Sequence, residues 1–313
     1  FNINNNIAFN ELFNLSDKKE KLNINDLGYL IGPILNAGGR LGKSGYASEL
    51  LSTSNPDVVK IRSNELIKLN NKRKKIETLI LDEIDFQKIE GENKNIIIYY
   101  NSTINEGLIG IIAARLKDHF NKPSIVITNS NKILKGSARS IYDYNIGRAI
   151  KNSLDNNIIL GGGGHNMAAG FILEKNNLKN FESFILNDFN KNSVSNDHSF
   201  SYDAEVSSHA FNIDFYNDLR KLEPFGIGNP SPTFFLKDLK VIKSKILNNK
   251  HISLILKSKT GFSIKSISFN SVNNKIGEYL LNYKKSISVL GQINENIWKS
   301  KKTLQLTIRD VIL

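Results

Sequence analysis

The amino-acid sequence predicts an α/β protein with a small all-β unit in its last third, and three observations predict it. Between Asn93 and Lys191, buried-strand runs alternate with amphipathic helical runs, which is the pattern of an α/β layer structure. After Ser199, five short extended runs follow one another with turn residues between them. A single long helical pattern joins an earlier, glycine-punctuated region to the alternating one.

The elements follow in order. Phe1 to about Pro56 mixes short apolar stretches with the tight segment Ile31-Gly-Pro-Ile-Leu-Asn-Ala-Gly-Gly-Arg40-Leu-Gly, which Pro33 and Gly42 punctuate. From Pro56 to about Phe86 apolar residues recur at helical spacing (Leu66, Leu69, Ile76, Leu79, Ile80, Ile84), but Lys68 to Lys75 is too polar to be buried all round. A long helix exposed at its centre is expected there. Strands are expected over 95–100, 124–128, 133–140 and 168–174, and helices over 107–120, 146–154 and 178–190. Asn192 to Ser199 reads as a linker. The runs 233–241, 251–256, 263–269, 286–292 and 303–309, interrupted by a helix near 272–281, predict a barrel of the oligonucleotide-binding (OB) type.

Composition narrows the chemistry. The 313 residues fit about two domains. With no cysteine in the chain, disulfide frameworks, zinc fingers, thiol catalysis and iron–sulfur ligation are excluded for it. Lys and Arg number 42 against 30 Asp and Glu, a net charge of +12 that points to a polyanionic partner. Apolar runs fall short of the roughly 18 residues of a membrane span, and a signal-peptide pattern is lacking, so a cytoplasmic protein is expected. The chain opens on Phe1 in an Asn-rich stretch that reads as the middle of a fold, so a preceding segment is expected to belong with it.

Four segments place glycine beside a group that can hold an anion. Gly161-Gly-Gly-Gly164-His165 presents successive backbone amides, with a histidine that can donate to a phosphate oxygen. Its plainer alternative is a flexible loop with a surface histidine. In Lys135-Gly-Ser137-Ala-Arg139-Ser140, alternation along an extended segment puts Ser137 and Arg139 on one face, a hydroxyl and a planar fork for phosphodiester oxygens. The alternative is an edge strand with a solvated basic face. Asn36-Ala-Gly-Gly39-Arg40 offers the same combination, or an ordinary turn. In Asn105-Glu-Gly107-Leu-Ile-Gly110, the glycines favour tight packing of a helix on a sheet over binding.

Taken together these motifs, with Leu222-Glu-Pro-Phe-Gly-Ile-Gly-Asn-Pro230, resemble the RecJ-type single-strand-specific exonucleases of the DHH phosphoesterase superfamily across essentially the whole chain. The resemblance implies a DHH-associated α/β domain at 93–191, preceded by a remnant of the catalytic DHH lobe at 1–56 and a linking helix at 57–90, and followed by an OB domain at 200–313. It implies 5′-3′ degradation of single-stranded DNA in repair and recombination, with Mn2+ or Mg2+ bound mainly by an N-terminal domain. A single-strand-binding protein or a helicase is an implied partner. Asp-His-His, the metal signature of that domain, does not occur here, and neither Asp118-His119 nor Asp197-His198 replaces it, so no metal ligand is assigned and the chain alone is expected to be inactive. By the resemblance, Arg40, Gly39, Ser137, Arg139, Gly163, Gly164 and His165 hold substrate phosphates, with Arg139 and His165 nearest the chemistry. Two departures stand out: Ile104-Asn105 where relatives commonly carry Trp-His, and Ala138 where Gly is commoner. A non-catalytic nucleic-acid-binding module and another DHH-superfamily phosphodiesterase remain as alternatives.

The barrel's lysines, Lys237, Lys240, Lys243, Lys245, Lys250, Lys257, Lys259 and Lys265, are read as a cationic surface for single strands. Phe262, Phe269 and Trp298 are taken first as barrel filling.

Overall fold

A computed structural model of the chain describes residues 6–16, 26–193, 201–226, 228–272, 274–282, 285–298 and 301–313. It divides into two units, Phe1–Asp197 and His198–Leu313.

The described part of the glycine-punctuated region is largely helical, and Asn36–Arg40 lies in a helix, not in the ordinary turn weighed as its alternative. The Asn6 carboxamide caps α1 (Ile7–Asn14), accepting from the Ala8 and Phe9 amides at 3.0 and 3.2 Å. A wide turn at Leu27–Ile31 runs into α2 (Gly32–Arg40). Pro33 sits in its first turn, where a missing N–H costs nothing. Gly42, at φ +78°, ends the segment and α3 (Gly45–Ser52) follows. These helices pack on α4 (Pro56–Glu83), which opens with Pro56 after the Asn55 side chain has accepted the Asp57 amide.

The middle of α4 is not simply exposed. Its buried residues Val59, Ser63, Leu66, Asn70, Arg73 and Glu77 recur at spacings of three and four, so one stripe is buried from end to end and turns polar at its centre. The helix stops at Glu83, and Asp85 caps a separate short helix, α5 (Phe86–Gly91), by accepting the Lys88 amide at 2.9 Å.

Next comes a five-stranded sheet in the order β1-β2-β3-β5-β4, formed by Ile97–Tyr100, Ser124–Ser130, Ile133–Arg139, Gly161–His165 (β4) and Ala168–Leu173 (β5). β1 and β2 are parallel and the other pairs antiparallel. Helix α6 (Ile109–Phe120) lays Ile109, Ile112, Ala113 and Leu116 on one face, over Ile97 and Val126. On the other face α7 (Ile146–Asp155) and α8 (Leu178–Asn192) enclose Ile125, Ile127, Ala138, Phe171, Phe181 and Ile185. β4 was expected as a glycine loop. It is instead an edge strand, and Gly42 and Gly261 are the only glycines at positive φ among the described residues.

The second unit is a closed barrel in the order β7-β8-β9-β11-β10, from Phe234–Leu247, His251–Lys257, Ser263–Ser268, Lys301–Ile312 and Ile287–Trp298, with β10 returning to β7. Alternation puts Ile252, Leu254 and Leu256 of β8 inside with Leu236, Ile264, Val289 and Leu306. α10 (Lys275–Asn282) adds Leu280 to this core. β6 (Ala204–Glu205) and α9 (Ile213–Arg220) were not anticipated. β7 runs to Leu247, longer than expected, because a register shift between Val241 and Lys243 breaks the alternation that a sequence pattern can follow. Most of the expected linker, 194–200, lies outside the described residues.

Candidate functional site

Strand register assembles the first part of the site. Arg139 of β3 pairs with Ala168 of β5, which pairs with His165 of β4. One row along, Ser137 pairs with Gly170 and Gly170 with Gly163. Directly opposed residues face the same side, so a serine, an arginine and a histidine share one sheet face with a strip of bare backbone between them. α6 covers that face over β1 and β2, while Gly163, His165 and Gly170 on β4 and β5 remain exposed. A β-carbon at Gly163 would meet open space, whereas at Gly162 it would lie 2.8 Å from the Phe171 Cβ on the opposite side. Gly164 is a packing glycine as well, with Ala168 and Ala169 where its side chain would be. The run therefore alternates between close packing and an open floor.

The side chains on this face are held in place. The Arg139 Nη1 donates to the Ala138 carbonyl at 2.8 Å and to the Ser137 hydroxyl at 3.3 Å. Gly110, in the first turn of α6, lies under both, because a β-carbon there would be 3.0 Å from Arg139 Nη2 and 3.1 Å from Ser137 Oγ. The packing role expected for Gly110 thus serves the site. His165 Nδ1 accepts the Met167 amide at 3.3 Å, which leaves the Nε2 proton of the neutral ring directed elsewhere. Ala138 is buried without positive φ, so the backbone there does not require glycine.

Arg40 reaches the same neighbourhood from α2. Gly107 packs on the Arg40 backbone so closely that a β-carbon would be 2.9 Å from its Cα. Asn105 prepares this approach by accepting the Gly107 amide at 2.9 Å, so its side chain is spent on a turn. Burial pushes the Arg40 guanidinium below its usual pKa; Arg73 pushes the same way, Glu77 opposes it, and Arg139 adds to the lowering. Arg139 is lowered by burial alone. Both stay protonated, as arginine does in proteins. Gly39 is exposed beside Arg40 with open space above it.

Sequence reasoning missed Arg73 and Glu77, which the buried spacing on α4 could have shown. Asp118 and His119 do not form a ligand pair, since Asp118 binds Lys117 and the His119 ring packs tilted and edge-on against Phe86 and Phe120. Asp197-His198 lies outside the described residues. Among the described residues there is no group of three or more His, Asp or Glu that fits a divalent metal.

On the barrel, register again orders the charge. Lys240 pairs with Lys257, and Lys243 with Ile255 and then Lys265, all outside the core. Lys240, Lys243, Lys245, Lys250, Lys257 and Lys265 have no carboxylate partner among the described residues, whereas Lys237 binds Glu205 and Lys259 binds Asp238. Phe262 packs against the core. Phe269 is instead 54% exposed with its ring against His251, so the barrel-filling expectation fails for it. The Trp298 side chain lies outside what is described. In the Leu222–Pro230 motif the Asn229 side chain donates to the Leu222 and Pro224 carbonyls.

Fold and site define an α/β domain with Arg139, Ser137 and His165 on one sheet face, and a second unit that is a lysine-rich barrel. Residues 93–191 match the DHHA1 domain family model, and residues 202–310 match the RecJ OB domain. The single-stranded-DNA-specific exonuclease RecJ of Bacillus subtilis is 27% identical over 98% of this chain and 39% of its own length. The RecJ of Haemophilus influenzae is 29% identical over 92% of the chain and 52% of its own. The crystal structure of Thermus thermophilus RecJ in complex with Mg2+ superposes with a TM-score of 0.77 at 21% identity, covering 98% of this chain and 46% of that one. The Mn2+ complex of the same protein gives 0.78. A DHHA1 domain followed by a RecJ OB domain makes this a C-terminal portion of a RecJ-type protein. The chain spans about half the length, or less, of the curated relatives named here. No helix among the described residues is long and apolar enough to cross a membrane.

Proposed function

We propose that this chain holds the phosphates and the trailing strand of single-stranded DNA for a 5′-3′ exonuclease of repair and recombination in the cytoplasm. The observation that carries this reading is the shared face: Arg139, Ser137 and His165 lie in adjacent register rows over bare Gly163 and Gly170, with Arg40 in electrostatic reach. Arg40 and Arg139 grip phosphate oxygens in a partly desolvated setting, where each contact is worth more than in water. Ser137 and the His165 Nε2–H add neutral donors. Gly39 and Gly163 leave room for backbone approach, and Gly164 keeps β4 seated on β5. As negative charge builds on the reacting phosphorus, Arg139 and His165 offset it. The divalent metal, Mg2+ or Mn2+, would be held mainly by an N-terminal catalytic domain, and none of these roles passes through it. The unpaired lysines of the barrel follow the remaining strand, and a single-strand-binding protein or a helicase presents it.

The test joins the chain to a catalytic DHH domain. Arg139→Ala is expected to slow single-turnover cleavage more than it weakens total binding; a change confined to affinity refutes the role. In parallel, the chain alone, titrated with salt, is expected to prefer single over double strands, and to show manganese-dependent cleavage only with the added domain.

A further inference from the structure

Arg40 is a half-buried guanidinium with no ion pair and no side-chain hydrogen bond among the described residues, although a carboxylate acts on it. That carboxylate, Glu77, is itself buried in the last third of α4. Both of its oxygens are taken: Oε2 by Arg73 Nη1 at 2.6 Å and Oε1 by Arg115 Nε, from α6, at 2.7 Å. Arg73 is buried too, and the Asn70 carboxamide accepts from its Nε at 3.1 Å, which fixes the guanidinium toward Glu77. A partly buried arginine and a nearby buried carboxylate ordinarily pair, since leaving either unmatched is costly. Here they do not.

We propose that Arg73 is a positioning residue that masks Glu77, and that this masking keeps Arg40 free for a substrate phosphate. Arg73 and Arg115 each occupy one oxygen of the acid, so the guanidinium of Arg40 has no ion-pair partner among the described residues and the incoming anion becomes its counter-charge. Arg115 does this from the helix whose first turn supports Arg139 and Ser137, which ties the mask to the other half of the site. The inference rests on the proposed phosphate-holding function.

Removal of the mask should let Arg40 swing onto Glu77, and removal of Glu77 as well should free it again. The readout is the ratio of affinities of the whole chain for a 5′-phosphorylated and a 5′-hydroxyl oligothymidylate, in which the barrel's contribution cancels. Arg73→Met is expected to lower that ratio about tenfold, the size of one lost charge-assisted contact. The double variant Arg73→Met, Glu77→Gln is expected to recover most of it, and Glu77→Gln alone to leave it equal or higher. A double variant as poor as Arg73→Met overturns the inference, because a purely structural Arg73 gives no rescue. Should thermal melting show Arg73→Met unfolded, Glu77→Gln decides alone: a held or raised ratio supports masking, and a lowered one overturns it. Arg139→Ala separates the two levels. If it leaves the ratio unchanged, the phosphate-holding function itself fails; if it lowers the ratio but rescue is absent, only the masking fails.

Discussion

The sheet face of the first unit and the outer wall of the barrel both collect positive charge, yet they are built in opposite ways. On the sheet, Arg139 and Ser137 are bonded to each other and wedged against Gly110, and Arg40 is half-buried against Gly107. On the barrel, Lys240, Lys243, Lys257 and Lys265 stand in solvent on register rows with no ion pair among the described residues. Few, desolvated and immobile cations select one geometry of phosphate; many, hydrated and mobile ones bind any strand in proportion to its charge. The +12 net charge by itself does not distinguish these uses.

The largest test of this contrast is Arg139→Ala in the joined enzyme, expected to cost about 100-fold in single-turnover rate while total strand affinity falls by less than about tenfold. Gly164→Ala should destabilise the first unit by about 1–3 kcal/mol, read by denaturant unfolding, since its β-carbon runs into Ala168 and Ala169. Gly163→Ala sharpens the point: stability within about 0.5 kcal/mol of the parent, but a reduced preference for phosphorylated ends. Replacing Lys243, Lys257 and Lys265 together by Gln should lower the salt slope of single-strand binding by about two, with the phosphate preference intact. Loss of that preference would mean that the barrel and the sheet do not divide the work. Smallest of all, Ala138→Gly should cost under about 1 kcal/mol and leave phosphate selection unaltered.

How much of this was legible depended on the kind of signal. The strands of the sheet core, rich in Ile and Val, announce themselves, as do the amphipathic helices between them. The sharing of a face by Ser137 and Arg139 followed from period-two alternation alone. β4 was invisible because glycine has almost no strand preference, and only pairing with β5 makes Gly161–His165 extended. The Asn36–Arg40 helix was hidden for the same reason, with two glycines where a helix former is expected. Polarity misled at α4: Asn70, Arg73 and Glu77 look solvent-facing by type, and only their spacing continues the apolar stripe of Val59 and Leu66. The rows that join β3, β5 and β4 are a matter of register between segments distant in the chain, which no local pattern encodes.

The contact between Gly107 and the Arg40 backbone has a consequence for how this site endures mutation. Because peptide groups meet there directly, the spacing between α2 and the start of α6 is independent of any side chain's size. Neighbouring side chains can therefore be exchanged without moving the backbone that carries the guanidinium, whereas at position 107 even a methyl group would collide with Arg40.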